Sequence, residues 1–189
     1  GWMVSGYLVP KAIAAGMMLV ASLLVLMGHG DVQGAVGVVP PMVAGAFLAL
    51  TGALLVGDLK QPKRFYYLLT RGNRSSWLVK GAYVLSGFAA FLAVWWAAGL
   101  AGAGGLLTVL VVPVVALAFG TAGYTAFLFG QCEGRDLWQE PLLLPVLLAQ
   151  AVVCGGAAYS VLDLFVEVPE ATTIRWVFLF GLAANGLLV

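Results

Sequence analysis

Three side chains that could exchange protons or form strong hydrogen bonds lie within or at the edge of long apolar stretches: Lys11, Asp58 and Tyr124. Polar groups are costly in such surroundings, so each needs a reason. Lys11 could extend its ammonium to an aqueous interface or donate a hydrogen bond in a buried pocket. Asp58 could be solvated, pair with Arg64 or line a polar pocket. The Tyr124 hydroxyl could bond to a neighbouring helix or to a ligand carbonyl.

The chain has few residues that bind metals. It contains one histidine, His29, and two cysteines, Cys132 and Cys154. A four-iron cluster normally needs four thiolates, and a pair of b-type haems needs four axial ligands. We therefore expect no metal site, haem or cluster in this chain, and any redox role must use an organic cofactor or a partner's metal centres. The net charge of +1 gives no indication of nucleic-acid binding.

The elements that position these residues are predicted to be membrane-spanning helices. Hydrophobic residues make up 62% of the 189 residues and charged residues only 9%. Soluble domains carry about 25% charged residues, so lipid must solvate much of this surface. The composition predicts an all-α integral membrane bundle with about six transmembrane helices. The chain lacks an initiator methionine and ends within an apolar run, so we interpret it as a fragment of a longer chain.

The limits of the spans follow from polar connections and from a glycine-rich turn at residues 99–105. Each span needs roughly 20 apolar residues. We predict a single bundle over residues 1–189, with spans at residues 4–28, 34–57, 78–100, 106–129, 142–162 and 173–189.

The alternation of spans places Lys11, Asp58 and Tyr124 near one face of the membrane. We expect Gly16 and Gly120 to leave room for a ligand beside them, since small residues open space between helices. The same face carries most of the positive charge, which predicts that it is cytoplasmic. That charge comes from Lys60, Lys63, Arg64, Arg71, Arg74, Lys80 and Arg135.

Three segments resemble the NrfD/PsrC family of membrane subunits from polysulfide-reductase-like complexes. DLKQPKRFYYLLTRGNRSSWLVKGAYVL is similar to that family's D-L-x-x-P-x-R-F…S-W…G-A-x-x-L segment. YTAFLFGQCEGRDLWQEPLLLPVLLAQAVVCGGAA resembles its Y-T-x-F-L…W-x-x-P-L-L-P segment, and GYLVPKAIAAGM resembles its first-helix pattern. The resemblance covers most of the chain in the same order, and it includes polar loops as well as apolar helices.

The resemblance implies a bundle of usually eight or more spans, built around four-helix units. It also implies a menaquinone or ubiquinone site close to an iron–sulfur subunit, with no haem or cluster in the membrane subunit. Carried over by motif, it implicates Asp58, Arg64, Tyr124 and the neighbourhood of Lys11.

The leading hypothesis is a quinone-binding membrane anchor of a multisubunit respiratory oxidoreductase in the inner (cytoplasmic) membrane, inactive alone. It would exchange electrons between the quinone pool and an iron–sulfur partner, alongside a catalytic subunit. Lys11, Asp58 and Tyr124 would handle protons, while Gly16, Arg64, Gly120 and Tyr124 would bind the quinone. A secondary transporter or channel is the alternative, with Lys11 and the Pro40–Pro41 pair marking a path. A purely structural anchor is the third possibility.

Overall fold

The computed structural model describes the backbone of residues 2–58, 76–130 and 142–188, and the side chains of residues 6–57, 76–130 and 142–188. Six helices in this part of the chain are long and apolar enough to cross a membrane, and the same residues contain no strand. The predicted all-α membrane fold is confirmed. Lipid offers the backbone no hydrogen-bond partners, so each apolar run satisfies its own amides by forming a helix.

The six helices are α1 (Trp2–Leu24), α2 (Val39–Asp58), α3 (Trp77–Leu100), α4 (Gly104–Gly130), α5 (Leu143–Leu162) and α6 (Ala171–Leu188). A short segment kinked at Gly28, Val25–His29, follows α1, and a π-helical turn, Gln33–Val38, precedes α2.

The centre of the bundle is α1, which packs against α2, α4 and α5. Of its apolar stretch, 72% is buried, compared with 11% for α6, which packs mainly against α5. Small residues on α1 make this possible, because Ala14, Ala15 and Ala21 are fully buried. Side chains on α1 therefore contact several helices at once.

The contact between α1 and α5 is made by bare backbone. Gly16 on α1 lies against Gly155 on α5, and a methyl group at Gly16 would overlap the carbonyl oxygen of Ala151. Such close approach is typical of small residues at helix crossings in membranes.

The end of the bundle opposite Asp58 is held by hydrogen bonds and ion pairs between its loops. Trp95 Nε1 donates to the carbonyl of Val36 and the Tyr159 hydroxyl to that of Ala35, both at 3.1 Å. His29 lies 3.7 Å from the carboxylate of Glu170. The α3–α4 connection turns at Gly102, whose φ of 64° suits a residue without a side chain.

Candidate functional site

Lys11 is buried inside the bundle, with an exposed fraction of 1%. Its Nζ donates a hydrogen bond to the Thr125 hydroxyl on α4. At 1.5 Å per residue, Lys11 lies about 13 Å along α1 from Trp2, too far inside to extend to the end of the helix. The ammonium group therefore belongs to an internal polar cluster and not to the membrane surface.

Tyr124 forms the second part of this cluster. Lys11 Nζ lies over its ring, 4.8 Å from the centroid, a distance at which a cation is attracted to an aromatic face. The ring also packs directly on Gly81 of α3, where a methyl group would overlap it. Glycine at position 81 thus allows the ring to lie flat between α3 and α4.

The Tyr124 hydroxyl is buried without a hydrogen-bond partner among the described residues. Its polar neighbours include the side chains of Tyr7 and Thr125. Tyr7 is itself buried and lies one turn before Lys11 on α1. A buried hydroxyl without a partner costs about 1–3 kcal/mol, so an acceptor beside Tyr124 would stabilise the site.

A cavity of about 330 Å³ lies between α3, α4 and α5 and has Tyr124 and Gly120 in its wall. Within its wall Trp77 stacks on Phe127, with ring centroids 4.4 Å apart and planes inclined by 13°. The ammonium of Lys80 lies 4.4 Å from the centre of the Trp77 ring. Tyr124 thus borders both this cavity and the Lys11 cluster, while Lys11 itself does not line the cavity.

Two larger cavities along α2 offer less chemistry. One, of about 520 Å³, lies between α2 and α3, and the other, of about 470 Å³, lies between α1, α2 and α5. Neither has a charged residue in its wall. The Tyr124 cavity is the one that adjoins a buried cation.

The predicted site residues do not all come together. Lys11 and Tyr124 are in contact, and Gly120 lies in the cavity wall beside Tyr124. Gly16 instead packs against Gly155 and leaves no room for a ring there. Asp58 ends α2, but its side chain lies outside the described residues, as does all of Arg64.

Sequence reasoning missed four contributors to the site: Tyr7, Trp77, Gly81 and Thr125. The spacing of Tyr7 and Lys11, four residues apart on one helix, could have indicated a shared face. Nothing in the sequence showed that Gly81 packs against Tyr124, because that contact depends on how α3 and α4 approach each other.

Metal ligands do not cluster in the part of the chain that the structure describes, where no three His, Cys, Asp or Glu side chains come together. Comparison with known proteins found no match among curated proteins or solved structures. The profile of the family described as polysulphide reductase, NrfD, matches residues 1–189, the whole of this sequence. The chain, a multi-pass membrane protein, therefore belongs to the NrfD family.

Proposed function

We propose that this chain is the quinone-binding membrane anchor of a multisubunit respiratory oxidoreductase. It exchanges electrons between a pool of menaquinone or ubiquinone and an iron–sulfur partner subunit, which in turn serves a catalytic subunit. Membership of a family of membrane proteins named for polysulphide reductase supports the role of reductase-complex subunit. The location proposed with this role is the inner (cytoplasmic) membrane.

The observation that carries the proposal is the Tyr124 hydroxyl, buried and unpartnered in the described structure beside a buried ammonium and a cavity. A quinone presents ring carbonyls, which are hydrogen-bond acceptors, on an apolar body. The cavity wall suits that body, since Trp77, Phe127, Leu144 and Leu148 line it and Gly120 leaves space. The residues present therefore fit such a ligand.

Each side chain of the cluster has a distinct role in this proposal. Bound quinone supplies a two-electron, two-proton couple. Tyr124 donates a hydrogen bond to a ring oxygen and fixes the ring's orientation. Lys11 supplies or accepts a proton, and Thr125 holds the amine over the Tyr124 ring. Asp58 is a second proton carrier, and Arg64 orients Asp58 or docks the partner.

The test is Tyr124→Phe in the intact complex, with quinone-linked electron transfer measured against electron transfer to a soluble acceptor. Losing one hydrogen bond worth about 1–3 kcal/mol should weaken quinone binding roughly 5- to 150-fold. We expect the quinone-linked rate to fall while the rate with the soluble acceptor is unchanged.

Tyr83→Phe is the matched control, because Tyr83 lies on α3 with its side chain half-exposed and away from the cavity wall. His29→Ala, at the opposite end of the bundle, should also have much less effect. If Tyr124→Phe kept full quinone affinity and rate, the proposed site would be rejected. A transporter, in contrast, would keep its turnover after removal of the iron–sulfur subunit.

A further inference from the structure

Buried polar side chains are concentrated between α1 and α4. The structure buries Lys11 and Ser22 on α1, and Thr121 and Thr125 on α4. One further buried threonine, Thr51, lies on α2 and donates its hydroxyl to the carbonyl of Phe47 at 2.8 Å. We call the surface where α1 meets α4 the α1–α4 seam, defined by Lys11, Ser22, Thr121 and Thr125.

The register of the seam is set by the hydrogen bond from Lys11 to Thr125. The two helices run in opposite directions, so residues after Lys11 and residues before Thr125 both lead towards the end where His29 lies. Thr121 is about one turn from Thr125, and Ser22 is about three turns from Lys11. Both separations are close to whole turns, so each side chain lies on nearly the same face of its helix as its reference residue. At 1.5 Å per residue, Ser22 lies about 16 Å beyond Lys11 along α1.

The hydroxyls of Thr121 and Ser22 are buried, and neither has a hydrogen-bond partner among the described residues. Native proteins rarely leave such groups unsatisfied, and buried water commonly supplies the missing bonds. The Thr51 hydroxyl shows the alternative, since it bonds to its own helix. Among the buried threonine, serine and tyrosine side chains that the structure describes, three hydroxyls have no hydrogen-bond partner. Two of them, Thr121 and Ser22, lie in the seam, and the third belongs to Tyr124.

We propose that the α1–α4 seam binds water at Thr121 and Ser22 and carries protons between Lys11 and the membrane face on which His29 lies. This inference rests on the proposed function, because it supplies the proton that Lys11 exchanges with the quinone site. When Lys11 gives up a proton, a proton from water at the His29 face moves along a chain of water molecules in the seam and restores the ammonium. That chain includes the water bound at Ser22 and Thr121 and further water that spans the roughly 10 Å between them along the helix axes. Each hydroxyl accepts one proton as it donates another, and no electrons move along the seam.

The functional test uses the intact complex reconstituted in vesicles with a trapped pH indicator. We expect proton exchange during quinone turnover at the face of His29. Thr121→Val and Ser22→Ala should slow that exchange and the linked turnover by about 100-fold or more, the range in which positioned proton-transfer groups contribute. They should also enlarge the solvent deuterium isotope effect. Thr51→Val, which removes a buried hydroxyl outside the seam, should change neither.

A second measurement is independent of turnover: high-resolution electron cryomicroscopy of the same complex. Water density within hydrogen-bond distance of Thr121 Oγ1 and Ser22 Oγ supports the proposal. Density showing both hydroxyls bonded to their own helices, without water, overturns it.

The vesicle experiment separates the two levels of inference. If Tyr124→Phe impairs quinone turnover while both seam variants keep wild-type rates, or if protons exchange only at the opposite face, the seam proposal fails and the quinone site stands. If Tyr124→Phe and the seam variants all behave as wild type, both are overturned.

Discussion

At the scale of single residues, the unusual feature is a lysine enclosed by helices at membrane depth. Its ammonium is stabilised by one neutral hydroxyl and one aromatic face, and no carboxylate of the described residues pairs with it. Burying a charge with so little compensation is expensive, and in membranes such residues mark functional sites. Lys11 is therefore a group whose protonation state responds readily to what occupies the neighbouring space.

Lys11→Met removes this charge but keeps a side chain of similar length. We expect quinone-linked electron transfer to fall by roughly 5- to 150-fold, the loss corresponding to about 1–3 kcal/mol, while the complex still assembles. Steady-state rates with quinone measure the electron transfer, and the subunit content of the purified complex measures assembly. Undiminished turnover with normal assembly would assign Lys11 a packing role.

Thr125 is predicted to position Lys11 through its hydroxyl. Thr125→Val preserves the shape but leaves the amine without its acceptor, so quinone-linked turnover should fall and its pH profile should shift. Thr125→Ser restores the hydroxyl and should recover both. A Thr125→Val variant with wild-type turnover and an unshifted pH profile would show that the hydroxyl is not needed and that only the shape of the side chain matters.

The sequence predicted part of this site. Counting residues from the ends of predicted spans placed Lys11 and Tyr124 near one face, and the structure brings them into contact. The sequence could not predict that Gly16 would face α5, because a glycine carries no information about which neighbouring helix it contacts. The same limit applies to Gly81, whose partner is Tyr124.

At the scale of helices, the α1–α5 crossing tolerates little change. A side chain at Gly155 would meet the backbone of Gly16, which cannot move aside as a flexible side chain could. A methyl group added at Gly45 on α2, in contrast, would have no neighbouring atom within 4 Å. The two glycines thus form a matched pair that differs in packing.

We predict that Gly155→Ala destabilises the protein by about 1–3 kcal/mol, because overpacking forces the helices apart. Gly45→Ala should be neutral or slightly stabilising, since alanine favours a helix more than glycine does. Denaturant unfolding of the purified protein in detergent, followed by helical circular dichroism, compares them. Equal stability of the two variants would contradict the close crossing.

The predicted helix limits rest on the charged connections and the glycine-rich turn that separate the apolar runs. The wide turn at Gln33–Val38 was not predicted, because no residue pattern in the sequence marks it. Its Val36 and Ala35 carbonyls accept hydrogen bonds from Trp95 on α3 and Tyr159 on α5, contacts that only the assembled bundle provides.

At the scale of the whole molecule, composition alone predicted the fold class, since so few charges leave lipid as the solvent for this chain. Composition could not reveal which helix is central. That position belongs to α1 because of its buried alanines and Gly16, which allow three neighbours to approach.

The end of the bundle near Lys80 is predicted to face the iron–sulfur subunit. The basic residues Lys60, Lys63, Arg64, Arg71, Arg74 and Arg135 lie in segments outside the described residues, but α2, α3, α4 and α5 begin or end beside those segments. Amine-reactive crosslinking of the complex, read by mass spectrometry, should link Lys60, Lys63 or Lys80 to that partner. Among the described residues, the His29 end carries carboxylates and no lysine, so a carboxyl-reactive crosslinker is the complement: links from the partner only to Asp163, Glu167 or Glu170 would contradict the prediction.

The wide turn at Gln33–Val38 has a consequence for how this protein can change. A π-helical turn holds one residue more than an α-helical turn, so it behaves as a single-residue insertion that has been kept. Deleting one residue would restore ordinary winding and rotate the preceding backbone by about 100° relative to α2. The carbonyls of Ala35 and Val36 would then turn away from Tyr159 and Trp95 together. The length of this segment is therefore fixed to the residue, and so is the glycine at position 37, because a side chain there would overlap the backbone of Gly99.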